Sequence, residues 1–315
     1  MSREFVYLAA DRVIYGAGAL AHLPQQMDRL EAQRAFVVTG QTIADKTGLL
    51  DRVKGLLGRR LSGVYPRAGE HVPRSRVLEA AQAAAEARAD CLISLGGGSP
   101  VDTTKGVALA LAEGIKRPED FGPYSTRFVA AEGPKRPFAR NPPSPTSPLP
   151  PLTDPLCLEA IRLLSRFLPI STRGLHDLDA RLSCQLAAWL SIYGAFNAPV
   201  GLSHAIGHQL GGRCGVPHGI TSCITLARVM AYNAPAAPER MAAIAEAMSA
   251  ADAPAAVDAF VKSLELPTRL SETGKVKEDD LEPLAHETFA ELRPGHNPRP
   301  VRSAQEILEI LRSVW

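Results

Sequence analysis

The chain has 315 residues, of which 45% are hydrophobic and 22% are charged, with a formal net charge of +2. This composition is typical of a soluble globular protein that is long enough for two domains, and it excludes a largely disordered chain. Lys and Arg are interleaved with Asp and Glu, so we expect neither nucleic acid nor a membrane surface as a partner. The N-terminal residues carry no apolar signal region and the five cysteines include no CxxC pair, so we expect a cytoplasmic protein with reduced thiols.

Strand and helix patterns alternate through the first hundred residues. The predicted strand over residues 34–39 is a continuous apolar run, which is typical of a strand buried on both faces of a parallel sheet. In chain order the predicted elements are a β-hairpin over residues 5–15, a helix over 19–30, strands over 34–39, 62–65 and 90–95, and helices between them over 43–57 and 73–88. The alternation predicts a doubly wound parallel-sheet α/β domain.

A glycine-rich segment follows the third predicted strand directly. It extends from Gly96 to Lys105 with the sequence Gly-Gly-Gly-Ser-Pro-Val-Asp-Thr-Thr-Lys and leads into an Ala- and Leu-rich helix that ends near residue 113. Glycines at the carboxyl end of a parallel strand let the backbone approach a pyrophosphate, and the next helix N-terminus attracts the anion. A tight strand-to-helix turn is the alternative interpretation. The triple glycine followed by Ser-Pro favours phosphate or dinucleotide binding.

The Pro-rich run over residues 136–151 can form neither a helix nor an inner strand, so its composition predicts a linker. We therefore expect an α/β dinucleotide-binding domain over residues 1–152 and a helical metal and substrate domain over residues 153–315. Outside the histidine-rich stretch, helices are predicted in the second domain over residues 154–167, 176–196, 222–232, 238–249, 253–264, 278–291 and 303–314.

Three of the eight histidines lie in the stretch from Gly201 to Gly219. His204 and His208 are four residues apart, so a helix places both imidazoles on one face, and a Gly/Pro-bearing loop returns His218 toward it. A single histidine in this setting is more often a core residue. Imidazole is the commonest transition-metal ligand and the usual acid or base near neutral pH, so three together predict a metal or catalytic site. Geometry alone selects His204 and His208 as the ligand pair.

With the glycine turn and the histidine stretch, the chain resembles the iron-containing alcohol dehydrogenase family, and within it the branch that includes maleylacetate reductases. Weaker matches accompany these two motifs at residues 14–19, 70–73, 152–156, 175–181 and 297–300. The resemblance implies a dinucleotide-binding α/β domain followed by a helical domain, and a homodimer. It also implies an NAD(P)H-dependent oxidoreductase that reduces a carbonyl or an activated double bond of a small-molecule substrate.

The resemblance assigns cofactor roles to residues on two turns. On the glycine turn, Gly96, Gly97, Gly98, Ser99 and Asp102 are expected to contact the pyrophosphate and ribose. Thr39 and Gly40 follow the first parallel strand, where NAD-selective relatives often carry an Asp at the position of Gly40. Without that carboxylate a ribose 2′-phosphate is not repelled, so we expect NADPH to be accepted at least as well as NADH. The alternative is a turn glycine, with selectivity determined elsewhere.

The resemblance also implies a divalent ion, iron or zinc, which relatives hold with one Asp and three His. His204 and His218 match two of these ligands, and His208 matches a nonligand histidine that is implicated in proton transfer near the nicotinamide. The segment that carries the Asp and the first His is not recognisable here, and the Pro-rich run stands in its place. Three explanations remain: the chain lacks a segment, it carries a frame-shifted or deleted stretch, or it is a natural variant without the metal centre.

We therefore expect an incomplete metal site. Two alternatives to the reductase remain: a catalytically silent family member without a complete metal and cofactor site, and a glycerol dehydrogenase-like metal-dependent enzyme.

Overall fold

The architecture comes from a computed structural model that describes residues 12–70, 72–124, 153–174, 176–195, 198, 200–292 and 296–315. These residues form two compact units. One lies within residues 18–141, and the other contains residues 153–315 together with residues 12–17. The Pro-rich run and the predicted domain boundary at residue 152 lie outside the described residues, so the boundary stays a prediction.

The first unit is built on a parallel sheet that has three strands among the described residues. Strand β1 (Ala35–Thr39) lies between β2 (Leu61–Tyr65) and β3 (Cys91–Leu95). In the register, Val38 lies opposite Tyr65 and Thr39 lies opposite Leu95. All residues of β1 are buried because the strand is central and is covered on both faces. The three predicted parallel strands are confirmed.

Helices cover both faces of this sheet. Phe36 and Val38 point to one face, where they share an apolar cluster with α4 (Arg74–Glu86) and α5 (Gly98–Glu113). Ala35 and Val37 point to the other face, where they pack with α1 (Leu23–Arg29) and α3 (Leu49–Leu57). Alternate side chains of β1 thus pack into two separate cores, one on each face of the sheet. The predicted doubly wound α/β domain is confirmed.

The strand order predicts a crevice at the carboxyl end of the sheet. The chain leaves β1 toward the face of α3 and leaves β3 toward the opposite face, on which α5 packs. Such a reversal opens a crevice outside the carboxyl ends of the two strands, and open α/β sheets bind their ligands there. Gly40 and the turn that begins at Gly96 both lie at this end of the sheet.

Two predictions about the first hundred residues were wrong in detail. Residues 12–15, the second half of the predicted hairpin, form no strand, and residues 5–8 lie outside the described residues. The predicted helix over residues 43–57 is two helices, α2 (Gln41–Lys46) and α3, because Thr47 is extended. The Thr47 hydroxyl donates to the carbonyl of Ile43 and accepts from the amide of Leu49, so one side chain ends one helix and begins the next.

The described residues of the second unit form helices joined by turns and loops and contain no strand, as predicted. Its main core contains Leu202, Ile206 and Leu210, which recur every fourth residue and are fully buried. No helix among the described residues of either unit is long and apolar enough to cross a membrane. The helices are α6 (Thr153–Arg173), α7 (Leu178–Ala195), α8 (Leu202–Cys214), α9 (His218–Asn233), α10 (Pro238–Ala247), α11 (Ala253–Ser263), α12 (Leu281–Glu291) and α13 (Ala304–Ser313).

Candidate functional site

The glycine turn is open on the side where a pyrophosphate is expected. Gly96 has φ +142°, a conformation that L side chains rarely adopt, and a Cβ there would lie 2.8 Å from Cγ of Pro100. A Cβ on Gly97 or Gly98 would meet nothing within 4 Å. The helix α5 begins at Gly98, and the first N–H groups of a helix have no partner within it. The residues of this turn therefore fit a pyrophosphate.

Other residues predicted to bind the cofactor have structural contacts as well. The Thr39 side chain is fully buried, and its hydroxyl donates to the carbonyl of Leu95 at 2.7 Å. The Thr39 carbonyl accepts from the amide of Ala68 at 3.0 Å, so Thr39 joins the ends of all three strands. The Asp102 carboxylate pairs with Lys105 at 2.9 Å. Contacts of Thr39, Asp102 and the half-buried Ser99 with a cofactor stay predictions.

The histidine stretch forms a helix, a tight turn and the start of a second helix. The core residues of α8 lie on one face. At the N-terminus of α8, the side chain of Asn297 accepts a hydrogen bond from the amide of Leu202 at 3.2 Å. Gly215 ends α8 with φ +67°, and the amide of Val216 donates back to the carbonyl of Leu210 at 3.2 Å. Pro217 follows, so His218 becomes the first residue of α9.

This turn brings all three imidazoles together. The ring centroids of His204 and His208 are 4.7 Å apart, those of His204 and His218 are 4.8 Å apart, and those of His208 and His218 are 6.0 Å apart. Gly207 allows the approach, because a Cβ there would lie 2.8 Å from the hydroxyl oxygen of Thr221 on α9. The predicted convergence of the three histidines is found, whereas their separate roles stay predictions.

The rings differ in their surroundings. Burial lowers the pKa of His204, and the neighbouring His208 and His218 lower it further, so this site favours the neutral imidazole. His208 is more exposed, and its Nδ1 lies 2.8 Å from Oε1 of Glu291, the last residue of α12. Gln209 donates its side-chain amide to the other oxygen of Glu291. Sequence reasoning missed Glu291, since no motif or spacing links it to α8.

A metal ion would need a complete set of donor side chains at this cluster. A catalytic site normally uses three protein ligands. Among the described residues, no group of three His, Cys, Asp or Glu side chains could hold a metal ion. The described residues alone therefore do not fit a complete metal centre.

Two family models cover most of the chain. The iron-containing alcohol dehydrogenase model matches residues 10–142, and the C-terminal model of the same family matches residues 149–315. The chain belongs to the iron-containing alcohol dehydrogenase family. Its members use a nicotinamide cofactor and a divalent metal, so the family assignment makes this chain an NAD(P)-dependent oxidoreductase that acts on a small-molecule substrate.

Maleylacetate reductases are among the similar proteins. Maleylacetate reductase 2 of Cupriavidus pinatubonensis is 33% identical over an aligned length of 279, and the match covers 76% of this chain and 76% of that one. Maleylacetate reductase of Burkholderia cepacia is 30% identical over 94% of each chain. The crystal structure of maleylacetate reductase from Agrobacterium tumefaciens is 25% identical with a TM-score of 0.76, covering 100% of this chain and 99% of that one. The match with the Burkholderia protein extends over 339 aligned positions, whereas this alcohol dehydrogenase family member has 315 residues. The Burkholderia protein therefore contains residues that this chain lacks.

Proposed function

We propose that the chain reduces the activated double bond of an unsaturated oxo-dicarboxylate of the maleylacetate type, with NADPH or NADH as the reductant and His208 as the proton donor. The observation that carries the proposal is the cluster of three histidines, in which one exposed ring is fixed by a carboxylate. The maleylacetate reductases among its relatives support this substrate class.

The reaction needs a hydride and a proton. Reduced nicotinamide supplies the hydride when it is bound. In the substrate, a C–H bond forms at the double-bond carbon remote from the ketone, the π bond breaks, and its electron pair moves toward the carbon next to the ketone and the ketone oxygen. The protonated His208 then gives its Nε2 proton to the carbon next to the ketone, and its neutral ring keeps the Nδ1 proton that faces Glu291.

The cofactor and metal roles of the remaining residues are part of the proposal. The backbone of Gly96, Gly97 and Gly98 is proposed to hold the pyrophosphate. His204 and His218 are the residues that would hold a divalent ion in part. The family resemblance also implies a cytoplasmic homodimer, and light scattering on the purified protein tests the dimer.

A substrate panel tests the proposed reaction. Initial rates of NADPH oxidation are compared for maleylacetate, a saturated oxo-dicarboxylate and a short aliphatic aldehyde. We expect kcat/KM to be highest for maleylacetate. A preference for the aldehyde contradicts the proposed substrate, and neither turnover nor NADPH binding indicates a silent family member.

Gly40 provides a prediction about cofactor choice. A Cβ at Gly40 would lie 3.7 Å from the carbonyl oxygen of Ala68, an ordinary contact, so a side chain can be added there. In Gly40→Asp, the new carboxylate should repel the 2′-phosphate of NADPH and accept hydrogen bonds from the ribose hydroxyls of NADH. We expect the ratio of kcat/KM for NADPH to that for NADH to fall about tenfold or more, roughly 1.4 kcal/mol.

The matched control is Gly40→Asn, which adds a side chain of similar size without the charge. It should change the cofactor ratio much less. An unchanged ratio in Gly40→Asp, or strong NADH preference in the unsubstituted protein, shows that selectivity is determined elsewhere.

A further inference from the structure

Glu291 lies where a carboxylate destabilises its own helix. It is the last residue of α12, beside the negative end of the helix dipole, and its side chain is only 20% exposed. Partial burial and an unfavourable dipole both oppose the charged form. A carboxylate at such a position needs compensating donors, and α8 supplies them.

Two successive residues of α8 donate to this carboxylate. His208 contacts Oε1 through Nδ1 at 2.8 Å, and the Gln209 side-chain amide contacts Oε2. A carboxylate accepts hydrogen bonds, so the proton between Glu291 and His208 belongs to Nδ1. In the neutral ring, Nε2 is then the unprotonated nitrogen, and ring rotation is restrained by a bond from a second helix.

Helices α8 and α12 are also joined by contacts that do not involve Glu291. Arg213 on α8 pairs with Glu287 on α12 at 2.8 Å, one helical turn before Glu291. Leu202, Leu210, Leu281 and Leu284 of these helices also belong to one buried core. The packing of α8 against α12 therefore has other sources.

We propose that Glu291 is the positioning residue of His208. It selects the tautomer with the proton on Nδ1 and directs Nε2 toward the reacting carbon. This inference rests on the proposed function of His208 as the proton donor. Glu291 acts only through His208 and has no direct role at the substrate.

The kinetic test uses Glu291→Ala, which removes the acceptor, and Glu291→Gln, which retains the shape without the charge. In Glu291→Ala we expect kcat to fall about 10- to 100-fold with little change in KM for NADPH or for maleylacetate. The kcat of Glu291→Gln should lie between that of Glu291→Ala and that of the unsubstituted protein. The control Glu287→Gln, on the same helix, should retain kcat. An unchanged kcat in Glu291→Ala overturns the proposal, even when the melting temperature of that variant falls.

Nitrogen NMR of the full chain with ¹⁵N-labelled histidine gives a readout that does not require turnover. The His208 signals are identified by their loss in His208→Asn. We expect the neutral ring to carry its proton on Nδ1 in the unsubstituted protein and to lose this preference in Glu291→Ala. The same tautomer in both proteins overturns the proposal. If the chain has no reductase activity, the proposed function fails, while the NMR result still decides whether Glu291 fixes the ring.

Discussion

Replacing His208 with Asn is expected to lower kcat for maleylacetate reduction by about 100- to 10,000-fold, the usual contribution of a positioned general acid. Asn can still donate a hydrogen bond to Glu291, but it has no proton to transfer at neutral pH. Because the pyrophosphate is proposed to lie at the glycine turn and not at His208, the Kd for NADPH should remain within about twofold. Stopped-flow measurement of a single turnover, together with NADPH titration, separates the two effects.

The control for this prediction is His22→Asn, an exposed histidine in the other unit whose side chain lies near Gln25. It should leave both kcat and Kd unchanged. If His208→Asn retains most of the unsubstituted kcat, another group supplies the proton, and the assignment of His208 is wrong.

Replacing Gly98 with Val is expected to weaken NADPH binding by about 100-fold or more. The added side chain meets no protein atom near its Cβ, but it extends into the space proposed for the pyrophosphate. Each hydrogen bond lost from a charged phosphate is worth about 1.5 to 3 kcal/mol, so the loss of two accounts for this effect. The melting temperature should not fall, since valine forms helix better than glycine.

Gly55→Val is the matched control, because Gly55 lies in α3 of the same unit and a Cβ there also meets nothing within 4 Å. We expect it to leave the Kd for NADPH unchanged. Isothermal calorimetry measures both constants, and circular dichroism measures both melting temperatures. Equal affinity in Gly98→Val and Gly55→Val contradicts the placement of the pyrophosphate.

Much of the fold could be predicted because its signals are local. The apolar run of β1 needs only its own residues to indicate a strand buried on both faces, and β3 followed by Gly96 indicates the turn that comes next. The break between α2 and α3 escaped prediction because it depends on the extended backbone of Thr47, and the bond from its hydroxyl to the carbonyl four residues earlier also forms within continuous helices. The strand order was equally hidden, since periodicity gives no information about which strands are neighbours.

The site was predictable only along one segment of the chain. Spacing brings His204 and His208 to one face of α8, but His218 lies almost as close to His204 as His208 does, so spacing cannot choose the ligand pair. Glu291 reaches His208 across 83 residues of sequence through helix packing. Thr39 was predicted to contact the cofactor from its position at the end of a strand. Its hydroxyl is fully buried between strands, and the cofactor contact stays a prediction.

The most direct measurement of the central claim is hydride transfer from NADPH deuterated at nicotinamide C4 to maleylacetate, followed by mass spectrometry of the product. We predict substrate-dependent oxidation of NADPH and a product that carries one deuterium at the former double-bond carbon remote from the ketone. A product without deuterium, or no oxidation by a protein that binds NADPH, would contradict it.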